Sequence, residues 1–125
     1  MKKILLTDRC SIRTVIDEIV QVPSLGFDTE SSGPELVGQK MLNVYRSALT
    51  GFSVALPSGA YYVPVSHRKK NAPYQEALHL LQAIADTNAI VWAHNWKHDL
   101  KAVHREIRGW AGPKRIADSM VAAPF

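Results

Sequence analysis

The sequence predicts an α/β domain with a mixed sheet of five strands flanked by helices. Apolar residues recur at helical spacing in three segments, and short apolar runs between these segments predict strands. Two of the predicted strands are separated only by Pro57-Ser58-Gly59, which favours an antiparallel hairpin. Strands and helices then alternate, as in β-α-β units, so both pairing directions are expected in one sheet.

The N-terminal half begins with a predicted helix over residues 8–21, because isoleucine and valine recur at helical spacing between Ile12 and Ile19. A strand with an apolar start follows it, and serine, glycine and proline residues then predict a loop. The predicted strands of this half span residues 25–28, 49–56 and 60–66, and the loop spans residues 31–46.

The C-terminal half is predicted to contain two helices between short strands. Pro73 is favoured in the first turn of a helix, so one helix is expected from there to about residue 86. A helix over residues 96–108 would place Trp96, Leu100 and Val103 on one apolar face. Strands are predicted at residues 89–93 and 116–117, and Asp118 is positioned to cap a final helix.

The composition suits one folded domain. The 125 residues are 46% hydrophobic and carry a formal net charge of +4 at pH 7, which permits a nucleic-acid partner. Cys10 is the only cysteine, so no internal disulfide can form. The apolar run at residues 4–6 is too short for a signal peptide, or for a membrane span of about 20 residues. We expect a soluble cytoplasmic protein, with a helical lead-in over residues 1–23 and one domain over residues 24–125.

Two carboxylates end the first predicted strand. Asp28 and Glu30 lie two residues apart, so in a strand their side chains face the same side of the sheet. Adjacent carboxylates repel each other unless a proton or a cation joins them, and their oxygens suit hard divalent ions such as Mg²⁺ or Mn²⁺. The alternative interpretation is a solvated strand end that carries two surface acids.

A second polar cluster spans the junction between a short strand and the third predicted helix. Asn95 and Asp99 lie four residues apart and project from one side of that helix. Open α/β sheets place their sites at the carboxyl ends of strands, so Asp99 is expected to converge on Asp28 and Glu30. The alternative for Asp99 is an ordinary first-turn acid that the helix dipole favours. Asp118 is interpreted as an N-cap that helps to hold the site.

Two histidines raise zinc as an alternative metal. His94 and His98 lie four residues apart, but a zinc-protease helix carries glutamate directly after the first histidine, where this chain has Asn95. The remaining histidine of this region, His104, is distant from the pair, so no third zinc ligand is evident. The sequence therefore favours the carboxylates over the histidines as metal ligands.

Basic residues cluster in two places. Lys101, Arg105 and Arg108 share the helix side away from the apolar stripe, and the loop at residues 67–70 contains three cations. A solvated helix face is the favoured interpretation of the first group. The loop is the better candidate for contacts to phosphate groups, because its charges lie close together.

Taken together, these segments resemble the 3′–5′ exonuclease (proofreading) domain of family A DNA polymerases, which include bacterial DNA polymerase I and its phage relatives. No single segment is specific, but their order and spacing are. The first motif is matched by Leu25-Gly26-Phe27-Asp28-Thr29-Glu30, the second motif by Asn95-Trp96-Lys97-His98-Asp99, two strands by residues 50–54 and 59–65, and an Asp-Thr-Met stretch by residues 116–120.

This resemblance implies an RNase H-like (DnaQ-like exonuclease) fold and hydrolysis of the 3′-terminal phosphodiester of DNA with two metal ions. Asp28 and Glu30 would ligate the ion that generates the attacking hydroxide. Asp99 would serve the second Mg²⁺ or Mn²⁺ ion, which stabilises the leaving 3′ oxygen. These three carboxylates would therefore be both the catalytic residues and the metal ligands.

The resemblance also implies residues that bind or support the substrate. Thr29, Asn95 and Lys97 would contact the substrate or hold its backbone, and Asp118 would support the site. The implied partner is a single-stranded 3′ end of DNA, together with a polymerase domain or another replication protein. The implied location is the cytoplasm of a bacterial cell or of a phage-infected host.

One part of the family pattern does not follow Asp118. The third motif, Tyr-X-X-X-Asp or His-X-X-X-X-Asp on a later helix, is not found in the remaining residues, so the C-terminal helices of the fold would be missing. We expect these 125 residues alone to be inactive or very weak, because a fourth carboxylate would be lacking. Two alternatives stay open: a catalytically inactive, exonuclease-like structural or DNA-binding domain, and an RNase D-like nuclease that trims RNA.

Overall fold

A computed structural model of the chain describes residues 3–32, 48–67 and 70–120. Most of the loop predicted over residues 31–46 lies outside these ranges, and so does most of the helix expected after Asp118. The described elements are β1 (Lys3–Leu5), α1 (Arg9–Ile19), β2 (Ser24–Ser32), β3 (Ala48–Leu56), β4 (Gly59–Pro64), α2 (Tyr74–Asp86), β5 (Ile90–Ala93), α3 (Trp96–Glu106) and β6 (Arg115–Asp118).

Within the described residues, six strands form one mixed sheet in the order β1-β4-β3-β2-β5-β6. The predicted hairpin is confirmed, since β3 and β4 pair antiparallel around the turn at Pro57 and Ser58. The central strand β2 is antiparallel to β3 and parallel to β5, and β5 is parallel to β6. The carboxyl ends of β2, β5 and β6 therefore lie at the same end of the sheet, where α/β folds place their sites.

One strand of the sheet was not predicted from the sequence. The expected number of five strands is wrong, because Lys3, Ile4 and Leu5 form β1 and pair in parallel with β4. All three side chains are exposed, so the segment lacks the alternation of apolar and polar residues that signals a strand. Leu6 follows β1 into the core, and its backbone N–H donates to the carbonyl oxygen of Tyr62 at 2.8 Å.

The central strand divides its side chains between two faces. Phe27 and Thr29 of β2 are buried, whereas Asp28 and Glu30 are exposed, as the alternation of a strand requires. The Phe27 ring stacks on the ring of Trp96, with 5.6 Å between the centroids and 15° between the planes. This contact holds the first turn of α3 against the middle of the sheet.

The helices of the described residues are short and amphipathic. Each buries one stripe of apolar side chains, and together with one face of the sheet these stripes form a single hydrophobic core. No helix in this part of the chain is long and apolar enough to cross a membrane. The largest fully buried side chains of the helices are Ile12, Ile19, Leu80, Leu81, Ile84 and Val103.

A substitution in the centre of this core should destabilise the whole domain. Ile84→Ala leaves a cavity where the side chain is 0% exposed, and we expect the free energy of unfolding to fall by about 2–5 kcal/mol. Gln82→Ala, on the exposed side of the same helix, is the matched control and should change it by less than about 0.5 kcal/mol. Urea denaturation followed by circular dichroism measures both, and equal losses would contradict the assignment of the core.

Candidate metal centre

The two carboxylates of β2 lie where the sequence predicted them. Asp28 and Glu30 extend from the same, exposed face of the strand, and Thr29 between them points into the core. Beyond Glu30 the pairing of β2 with β3 shifts register between Glu30 and Ser31. The acids therefore stand immediately before an irregularity that interrupts the ladder, a position that proteins often use to aim a side chain at a site.

Asp99 reaches the same segment of β2 from helix α3. Its side chain is 1% exposed, and its Oδ1 accepts two hydrogen bonds from Thr29, one from the backbone N–H at 3.1 Å and one from the hydroxyl at 2.5 Å. Thr29, which lies between Asp28 and Glu30, therefore holds Asp99 in place. The structure brings the second acidic segment to the first across 70 residues of sequence.

The three acids do not form one compact cluster. Asp99 contacts β2 from the side that α3 covers, whereas Asp28 and Glu30 extend from the opposite, exposed face. Among the described residues, no group of three or more His, Cys, Asp or Glu side chains is close enough to hold one metal ion. This finding also gives no support to zinc, and the His94 Nδ1 atom instead lies 2.9 Å from the Ser119 hydroxyl.

Asp99 nevertheless has the features of a ligand that lacks a partner. Its Oδ2 atom is buried and accepts no hydrogen bond from the described part of the chain. Burial raises the pKa of Asp99, the hydrogen bonds from Thr29 oppose that rise, and the charge of Asp28 adds to it. A buried, unpaired carboxylate oxygen costs free energy that a cation or a proton would recover. The chemistry of Asp99 therefore fits a carboxylate whose free oxygen a divalent ion or a proton would complete.

Asp118 holds the beginning of α3 from the neighbouring strand. Its carboxylate accepts hydrogen bonds from the backbone N–H groups of Asn95 and Trp96, at 2.9 and 2.8 Å, and from that of Met120 at 2.9 Å. The sequence predicted a cap for a following helix, and the structure adds a cap on α3. The bonds to Asn95 and Trp96, in that order of effect, lower the pKa of Asp118.

Asn95 makes the turn between β5 and α3. Its φ of 75° and ψ of 68° are left-handed, and it is the single residue other than glycine with a positive φ in the described ranges. Asparagine tolerates this conformation better than most residues. The turn directs the first N–H groups of α3 towards Asp118, so Asn95 contributes to the site through its backbone.

A basic cavity of about 300 Å³ lies between α3 and the carboxyl end of β2. It contains two of the three predicted substrate residues, Asn95 and Lys97, whereas Thr29 is buried and bonded to Asp99. In the described part of the chain, its Lys97, Lys101 and Arg105 form no ion pair with a carboxylate. The lining residues are Ser31, Asn95, Lys97, His98, Lys101, Ala102 and Arg105.

Two residues at the site were missed in the sequence. The Tyr62 hydroxyl donates to Glu30 Oε1 at 2.6 Å, and His67 Nε2 lies 2.7 Å from the same hydroxyl. Both residues come from β4 or the segment after it, two strands away from Glu30 in the sheet. Only the register of three adjacent strands could have revealed them, and the sequence pattern does not fix that register.

The arrangement of strands and helices matches solved exonuclease structures. Escherichia coli RNase D, an exoribonuclease involved in structured RNA processing, has a TM-score of 0.66 and 13% identity over 95% of this chain and 28% of that chain. The exonuclease domain of EXD2 has a TM-score of 0.61 and 19% identity over 97% of this chain and 58% of that one. Brucella melitensis NrnC, with bound Mg²⁺, has a TM-score of 0.53 and 20% identity over 82% of this chain and 44% of that one.

These matches show the fold. The chain has the RNase H-like fold of 3′–5′ exonuclease domains, as the sequence predicted, and it spans 28–58% of the length of the three matched chains. No protein-family model matches the sequence. No curated protein matches it either.

The cap on α3 generates a prediction about stability and pH. Asp118→Asn removes one acceptor oxygen and the charge that faces the helix N-terminus, so the melting temperature should fall. The folded pKa of Asp118 is lowered, so its contribution is present above the unfolded pKa and disappears as the pH falls through the folded value. The difference from the wild type should therefore be largest near pH 7 and vanish in acid.

Asp17→Asn on the exposed side of α1 is the control for this measurement. It removes the same charge without removing a cap, and its melting temperature should follow that of the wild type across the pH range. A melting temperature for Asp118→Asn that falls equally at every pH would contradict the role of the ionised carboxylate.

Proposed function

We propose that this chain carries the core of a 3′–5′ exonuclease that depends on divalent metal ions. One observation carries the proposal: Asp99 is bonded to Thr29, between Asp28 and Glu30, and keeps one buried oxygen without a partner. Acids that are distant in the sequence and reach the same segment of a central strand, near its carboxyl end, are a typical arrangement for a catalytic site. The fold of the matched exonuclease structures supports the same conclusion.

The residues proposed to hold Mg²⁺ or Mn²⁺ are Asp28, Glu30 and Asp99, with two ions as the family resemblance implies. When bound, the ions would supply a nucleophile from water and would stabilise charge on the leaving oxygen. The chain itself would position these acids: Thr29 fixes Asp99 against β2, and Asp118 fixes the helix that carries it. The bound Mg²⁺ in the matched NrnC structure supports a divalent ion in this fold.

The proposed substrate is a single-stranded nucleic acid with a free 3′ end. The cavity beside α3 supports this class, because Lys97, Lys101 and Arg105 line it and suit the phosphates of one strand. The resemblance to polymerase proofreading domains favours DNA and a polymerase partner, whereas the likeness to RNase D favours RNA. Matched DNA and RNA oligonucleotides would distinguish the two.

A second candidate function is a nucleic-acid-binding domain without catalysis. It is favoured by the separation of Asp99 from Asp28 and Glu30 on opposite sides of β2, and by the absence of a compact metal cluster in the described residues. In that case Asp99 would be a structural acid that ties α3 to Thr29. Metal binding distinguishes this candidate from the nuclease.

The metal centre is tested by Mn²⁺ titration of the 125-residue chain, followed by electron paramagnetic resonance. We expect binding by the wild type and affinity losses of about 10-fold or more in Asp28→Asn, Glu30→Gln and Asp99→Asn, since each removes an anionic ligand oxygen. Asp17→Asn, which is remote on α1, should bind as the wild type does. Binding that survives Asp99→Asn unchanged would favour the structural role of Asp99.

Catalysis is tested in the same preparation on end-labelled oligonucleotides with Mg²⁺ or Mn²⁺. We expect weak shortening from the 3′ end, and none in Asp28→Asn. Metal binding without any shortening by the wild-type chain would support the non-catalytic candidate for these 125 residues.

The basic cavity is tested by nucleic-acid binding in EDTA, which removes the metal from the comparison. Lys101→Gln and Arg105→Gln should each weaken binding of a single-stranded oligonucleotide and reduce the slope of log K against log salt by about 0.7. Lys114→Gln changes the same charge outside the cavity and should leave the slope unaltered. Equal slopes in all variants, measured by fluorescence anisotropy, would exclude the cavity as the binding surface.

A further inference from the structure

We propose that Tyr62 is a positioning residue for Glu30 and that His67 positions Tyr62 in turn. The proposal rests on the proposed function, since it concerns one of the acids of the metal centre. The Tyr62 hydroxyl donates to Glu30 Oε1 at 2.6 Å, although Tyr62 lies on β4 and Glu30 on β2. The side chain must therefore extend across β3, which separates the two strands.

A glycine in β3 leaves the space for this crossing. Gly51 lies opposite Glu30 on one side and opposite Pro64 on the other. A Cβ atom at Gly51 would collide with the hydroxyl and the ring of Tyr62, and would lie 2.7 Å from the carbonyl oxygen of Val63. Any other residue at this position would displace the phenol, so Gly51 is a condition for the contact between Tyr62 and Glu30.

The direction of the hydrogen bonds follows from the donors present. A phenol has a single O–H, and an ionised carboxylate only accepts, so Tyr62 donates to Glu30. His67 Nε2, at 2.7 Å, must then donate to the Tyr62 oxygen, which fixes an Nε2–H on the imidazole. A phenol ordinarily titrates far above neutral pH, so Tyr62 has this proton to donate. The result is a directed chain of two hydrogen bonds that ends on the carboxylate.

His67, at the far end of these two hydrogen bonds, is itself held in place by the side chain of Asn71. The backbone N–H of His67 donates to Asn71 Oδ1 at 2.6 Å, and Asn71 Nδ2 donates to the His67 carbonyl oxygen at 3.0 Å. The His67 ring meets the Tyr62 ring edge-on, with 5.5 Å between the centroids and 89° between the planes. The ammonium group of Lys3 also lies 5.8 Å from the centroid of the Tyr62 ring.

The consequence for Glu30 is a loss of rotational freedom before any ion binds. Its side chain is 60% exposed, so without a partner it would sample several rotamers, and ordering it on metal binding would cost conformational entropy. Residues that hydrogen-bond to metal ligands typically contribute 10- to 100-fold to metal affinity, because they orient the ligand in advance. Tyr62 has the position and the donor for this role.

The test compares Mn²⁺ affinity with stability in the absence of metal. Tyr62→Phe removes only the hydroxyl, and we expect about 10-fold weaker Mn²⁺ binding with a melting temperature in EDTA close to that of the wild type. A purely structural role would lower the melting temperature and leave the affinity unchanged. Tyr61→Phe, on the next residue of β4, is the matched control and should bind Mn²⁺ like the wild type.

Two further variants test the hydrogen bond between His67 and Tyr62. His67→Ala should weaken Mn²⁺ binding, whereas His67→Gln retains an N–H donor and should restore part of it.

The outcomes separate this inference from the function on which it rests. If the wild-type chain binds no Mn²⁺, the proposed function and this inference are both overturned. If the wild type binds and Tyr62→Phe binds equally well, only the inference is overturned, and the metal centre of Asp28, Glu30 and Asp99 stands.

Discussion

The position of the candidate site depends on the two hydrogen bonds that Thr29 donates to Asp99. They tie the central strand to the first turns of α3, and hydrogen bonds to an ionised group are about twice as strong as neutral ones. Thr29 lies between Asp28 and Glu30, so the same contact fixes where the helix acid stands relative to both exposed acids. If it were lost, α3 would still pack through its aromatic contact with β2, but Asp99 would no longer be directed to this segment.

The beginning of α3 is held by a second set of hydrogen bonds, which Asp118 accepts from the backbone. Asn95 turns the chain into the helix with a left-handed backbone, which directs the first N–H groups to the Asp118 carboxylate on β6. Because β6 and β2 lie on either side of β5, the cap and the Thr29 contact hold the helix from two positions in the sheet. A change at Asp118 should therefore reach the candidate metal centre through the orientation of Asp99, although the two side chains are not bonded to each other.

The sequence predicted those parts of the fold that rest on local periodicity. The alternation at Asp28 and Glu30 and the helix that carries Asp99 both follow from spacing, and both are confirmed. The strand β1 and the Tyr62 contact were missed, because they depend on pairing between strands distant in the chain. The spacing also placed Asp99 near the right strand without indicating from which face of the sheet it arrives, since that depends on how α3 packs.

The four acids of this region differ in how many hydrogen bonds their carboxylate oxygens accept. This difference indicates which acids have a structural role and which are available to bind a metal ion. Asp118 uses both oxygens on backbone N–H groups, so a cation would have to break those bonds, and its role is structural. Asp99 uses one oxygen and keeps the other buried and unpaired, a state that costs free energy until a cation or proton arrives. Asp28 is exposed, and Glu30 is exposed apart from the hydrogen bond that its Oε1 accepts from Tyr62, so both can exchange water for an ion at low cost. A metal ion bound by Asp99 together with Asp28 and Glu30 would satisfy the buried oxygen that the protein leaves without a partner, which is the physical basis for proposing these three residues as the site.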